Sequence, residues 1–163
     1  MPLIVATLQG ELIGALEKGP MGNPAPPLVG INIAKAYNNY CSSAMNVGAG
    51  SFTGMPGVSS LGQELGDILS ATSPAGALTA LRMATAFSSC LSTILTVHQL
   101  VIVTAPGLPA LQSGLTQVLS TPAASATMFA QQLATQLDIF TRMAFVSGVI
   151  PGTPPFPFTG PLL

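Results

Sequence analysis

Apolar positions recur along this chain at intervals of three and four residues, and the pattern itself returns about every 50 residues. Ile33, Ala34, Tyr37, Tyr40, Ala44 and Val47 align with Met83, Ala84, Phe87, Cys90, Ile94 and Val97, and again with Leu133, Ala134, Leu137, Phe140, Ala144 and Ser147. Seventeen of these eighteen positions are apolar or aromatic. A step of three to four places them on one face of an α-helix, whereas a strand would alternate. Ahead of each long segment runs a shorter one with Leu at its first, fifth and ninth positions: Leu8, Leu12 and Leu16; Leu61, Leu65 and Leu69; Leu111, Leu115 and Leu119. Pro-Gly pairs at 56–57, 106–107 and 151–152 punctuate the units, and Pro27, Pro74 and Pro122 precede the long segments.

The spacing predicts helices over residues 3–17, 28–47, 59–71, 75–104, 108–120 and 123–149, with Ser73 and Thr121 as N-caps ahead of Pro74 and Pro122. The expected fold is all-α. Three tandem helical hairpins (repeats 1–50, 51–104 and 105–150, each a short helix plus a long one) make one domain over 1–150, with the long helices side by side because no single unit covers its own apolar surface. Residues 151–163, "PGTPPFPFTGPLL", hold five prolines and no charge. Such a segment is no helix and no central strand, so it is expected to be an extended arm. Its Pro154, Pro155, Phe156, Pro157 and Phe158 form the candidate interface. In an arm extended in the polyproline manner, with three residues per turn, Phe156 and Phe158 are expected on different sides, one for the arm's own domain and one for an adjacent subunit that the arm would clasp.

Composition turns this fold towards assembly. Charged residues are 6% of the 163, against roughly 25% in an ordinary soluble protein, and the apolar share is 48%. Four Lys and Arg cannot hold a polyanion or an anionic membrane surface. A surface built from Ser, Thr, Asn, Gln, Gly, Pro and apolar atoms favours association, so the chain is expected to be a homo-oligomer or to be covered by other subunits. The rival expectation is a membrane-active, holin-like or pore-forming protein, with residues 83–105 long enough to span a bilayer. Against it, the equivalent stretches carry Lys35, Asn38 and Asn39 in one copy and Gln131, Gln132, Asp138 and Arg142 in the other. Glu11 and the lack of a basic start argue against reading the first residues as a signal peptide.

Candidate chemistry is sparse, and the chain is not expected to be an enzyme or to need a cofactor or metal. His98 is the only histidine and reads as a core or interface group. Cys41 and Cys90, one step off the repeat, read as free buried thiols. Glu11, Glu64 and Asp67 read as solvated helix-face charges rather than an acid–base pair, and Asp138 and Arg142 as an i,i+4 ion pair. "VGAGSFTGMPG" at 47–57 lacks the Lys of a phosphate loop and reads as a flexible turn.

The segments "KGPMGNPAPPLVGINIAKAYNNY", "SFTGMPG" and "PGTPPFPFTGPLL" resemble small, charge-poor virion structural proteins encoded among the tail and baseplate genes of myoviruses and related contractile particles. The resemblance rests on Pro/Gly punctuation and composition. It implies a small helical accessory or adaptor subunit of a contractile tail or baseplate, assembled in the host cytoplasm and packed among other virion subunits. It supplies no site residues.

Overall fold

The computed structural model describes residues 3–17, 24–46, 48, 50–71, 76–97, 101–121 and 125–163. Among them, six helices and six strands follow one another in three copies of a helix-helix-strand-strand unit. The first unit is α1 (Val5–Leu16), α2 (Pro26–Ser42), β1 (Met45–Asn46) and β2 (Gly50–Gly54). The second is α3 (Val58–Ser70), α4 (Gly76–Leu91), β3 (Leu95–Thr96) and β4 (Val101–Thr104). The third is α5 (Leu108–Ser120), α6 (Ala126–Arg142), β5 (Phe145–Ile150) and β6 (Phe156–Pro161).

The expectation of an all-α fold is therefore wrong: the chain is mixed, with helices and antiparallel sheet in every unit. The helices themselves fall close to their expected places, but the long ones stop at Ser42, Leu91 and Arg142 instead of running to 47, 104 and 149. Two of these ends have a local cause. Ser42, Ser43, Ser92 and Thr93 each donate their hydroxyl to a carbonyl three residues back, which competes with the helical ladder. In the second unit the β-branched run "VIVT" of β4 also favours extended backbone. At the third end the Thr141 hydroxyl donates instead to the Leu137 carbonyl four residues back, and Met143 and Ala144 lead into the β5 segment "FVSGVI".

Helix starts also needed correction. Ser125 caps α6, its side chain accepting from the Met128 N–H at 3.1 Å, while Thr121 instead follows the end of α5. The expected cap Ser73, and Pro74 and Pro122 expected in the first helical turns, lie outside the described residues. The glycine-rich stretch is not a loose turn either: it supplies β2, and Gly57 then enters α3 with its N–H on the Thr93 hydroxyl at 2.9 Å.

The units close into a ring. Each long helix packs on the short helix of the next unit, α2 on α3 and α4 on α5, and α6 returns to α1. The strands follow the same rule, with β2 paired to β3 and β4 to β5. Beyond β6, Leu163 exchanges two backbone hydrogen bonds of 3.0 Å with Met45, which joins the third unit's last strand to the first strand of the first. Five of the six apolar columns are buried in all three copies, none of their members above 3% exposed. The sixth fails where the helix has ended: Val97 is 58% exposed.

Short helices alternate with the long ones around the ring, so the long helices do not lie side by side as expected; side chains from the three converge at the centre. Tyr37 of α2 lies edge-on to Phe87 of α4, ring centres 5.1 Å apart, and its hydroxyl bonds Thr141 of α6 at 2.8 Å. Leu137, in the same column as Tyr37 and Phe87, is fully buried.

Candidate interface on the strand layer

The residues with chemistry to offer are used structurally. Arg142 bonds Asp138 at 2.9 and 3.0 Å, as the i,i+4 spacing suggested, and also donates to the Leu3 carbonyl at 2.7 Å. The Tyr40 hydroxyl donates to the same Asp138 carboxylate. One ion pair thus ties α6 to α2 and to the start of the chain, where the ring must close. Burial and the bond to Asp138 hold the Tyr40 phenol well above its usual range. Glu11 accepts from Asn39 at 3.0 Å, while Glu64 and Asp67 are exposed on α3. Cys41 and Cys90 are free and buried. Burial, with the nearby Glu64 charge, pushes the Cys90 thiol up to about 12, and burial raises Cys41 as well. At neutral pH both are thiols rather than nucleophilic thiolates. His98 lies outside the described residues. Among the described residues, no group of three His, Cys, Asp or Glu gathers as metal ligands.

The proline-rich arm is a strand of this chain's own sheet. Residues 156–161 pair with 145–150 through six register positions, and the Leu162 N–H continues the ladder to the Ala144 carbonyl. Proline has no N–H, so Pro157 and Pro161 fit only where that group would point away from β5. Their spacing of four keeps both on that edge, and Leu162, one residue on, donates towards β5. Asn46 bonds the Pro161 carbonyl at 2.8 Å from the other side. Phe158 lies over Gly48, where a Cβ would meet its ring at 2.4 Å, and packs against the core. Phe156 is 67% exposed, and Pro154, Pro155 and Pro157 are exposed as well.

Compared with protein-family models, with curated proteins and with solved structures, the chain matches none. Its surface is then the remaining guide. Among the described residues the charged side chains, at 11, 17, 35, 64, 67, 82, 138 and 142, are on or beside helices, and no strand carries one. The strands instead expose apolar groups at equivalent places: Met45 is 44%, Leu95 45% and Phe145 43% exposed. Sequence reading placed the interface in the arm because it took the long helices through these positions. The alternation of exposed and buried residues that begins at each of the three points, as in Met45–Asn46 and Leu95–Thr96, was the signal for the larger surface.

Proposed function

We propose that this chain is a structural subunit of a bacteriophage or phage-like contractile particle, a tail or baseplate adaptor or accessory protein. It acts by packing against neighbouring subunits and catalyses nothing. One observation carries the reading: a charge-free strand layer that repeats the same half-exposed apolar position in each of three units, Met45, Leu95 and Phe145. A surface of that kind is costly to leave in water and suits a place among symmetric neighbours. The particle itself is suggested by the three segments that resemble tail and baseplate proteins.

The membrane-active alternative has lost its candidate span. Residues 83–105 hold the end of α4, then β3 and β4, and among the described residues no helix is long and apolar enough to cross a membrane. The test is to tag the chain, band the particles on a density gradient and measure its copy number by quantitative mass spectrometry. A fixed stoichiometry in intact particles is expected. Absence from the particle band, with the chain in a carbonate-resistant membrane pellet, would overturn the proposal.

A further inference from the structure

The strand register places one apolar strip across four strands. Ile102, Ser147 and Thr159 form one row, and Thr104, Phe145 and Pro161 the next. Leu163 carries the phase of Pro161 onward and pairs with Met45 of β1. Alternate residues share a face, so Ile102, Val149, Phe145, Pro161, Leu163 and Met45 point outward together. Beside the strip, residues of the opposite phase are buried, Val146 at 0% and Leu162 at 3%, while Phe156 at the far end of β6 is 67% exposed. Outward, Ile102 is 68% exposed, Leu163 47%, Met45 and Val149 44% and Phe145 43%.

We propose that this strip is where a second copy of the chain docks, face to face about a twofold axis; the proposal rests on reading the chain as an assembly subunit. Charge supports a second copy as the occupant. Only close to the axis of a twofold contact does a residue meet its own counterpart, and a charged group there would meet a like charge. Among the described residues the strands have none, and the Lys, Arg, Asp and Glu are on or beside the helices. Area supports it too. The six side chains leave roughly 500 Å² of apolar surface in water, and two such strips together bury about 1,000 Å², where specific interfaces begin. Edge-to-edge association through β6 is blunted, because Pro157 and Pro161 remove two of its donors on the side away from β5 and Leu163 is already paired.

Sedimentation velocity on the full chain, from about 1 to about 100 µM, tests this. A dimer is expected that persists at about 0.5 M salt, since no exposed ion pair holds it. Ile102→Lys should weaken it at least tenfold. Leu78→Lys, at a 56% exposed apolar position on α4, should leave it unchanged. Met45→Lys, on another strand, repeats the measurement if Ile102→Lys changes the circular dichroism spectrum. A monomer throughout the range overturns the proposal and points to a different protein as the occupant. A dimer indifferent to both strip variants, or weakened equally by Leu78→Lys, or a larger oligomer that Ile102→Lys disperses, overturns it as well. A monomer still found in purified particles would sink this contact and leave the functional reading standing; a dimer absent from particles would do the reverse.

Discussion

Alanine at Gly30 should destabilise the protein, while the same change at Gly14 should stabilise it. Gly30 lies where α2 crosses α3, and a Cβ there would come within 2.3 Å of the Gly66 nitrogen, 2.6 Å of the Gly62 carbonyl oxygen and 2.8 Å of the Gly66 Cα. All three are backbone atoms, so no side chain can swing aside. The helices must separate by about 1 Å, and a gap of that size forfeits a quarter to a half of each dispersion contact along the crossing. Overpacking of this kind costs about 3 kcal/mol. Against it stands the gain of about 1 kcal/mol from replacing a helical glycine with alanine. The net loss is about 2 kcal/mol, a Tm lowered by about 4–8 °C for a chain of this length. At Gly14, exposed on α1, nothing lies within 4 Å of the added methyl group. Only the propensity gain remains, so Tm should rise by about 2–4 °C. Thermal melts followed by circular dichroism, with urea titrations to check the slope, read both. A Gly30→Ala protein as stable as its parent would refute the close crossing, and a destabilised Gly14→Ala would refute the assignment of that face to solvent.

Three further outcomes are expected. Leu137→Asp sets an unpaired carboxylate beside Tyr37 and Phe87 in a fully buried column, and should abolish the cooperative melt, a cost of about 4 kcal/mol or more. Leu162→Ala should cost about 2–3 kcal/mol in urea titrations, because Leu162 is 3% exposed; a free arm would lose nothing. Stability should fall as pH rises from about 9 through about 12, since the Cys90 thiol is raised from 9.0 to about 12 by burial and the Glu64 charge. The sign follows from proton binding: above the ordinary thiol pKa the unfolded chain gives up a proton that the folded chain keeps, so alkali favours unfolding. Flat urea midpoints from pH 8 to 11 would contradict this.

The helical part of the fold was legible because its period was sampled over enough turns. Ile33, Ala34, Tyr37 and Tyr40, with their counterparts, span about two turns of each long helix, and every one is buried. The strands were hidden by their length. β1 and β3 contain two residues each, and over so short a run a period of two cannot be told from a period of 3.6. Ile94 and Val97 lie three apart and therefore passed as another helical pair, although one is 2% and the other 58% exposed.

The arm shows where a local rule was right and its extension was not. Prolines do exclude a central strand, but they also prescribe an edge when their spacing is even, because alternate residues turn their N–H to the same side. Pro157 and Pro161 satisfy that condition, and Phe156 and Phe158 then face β5 with their donors. What the spacing could not disclose is which strand lies alongside, since the segment's partners, β5 and Met45, are set by closure of the ring. That closure depends on α6 meeting α1, and on Arg142 reaching the Leu3 carbonyl, contacts between opposite ends of the chain that no local pattern encodes. The same closure brings Met45 beside Leu163 and makes one apolar strip out of residues that, read along the chain, are isolated hydrophobic positions in three separate repeats.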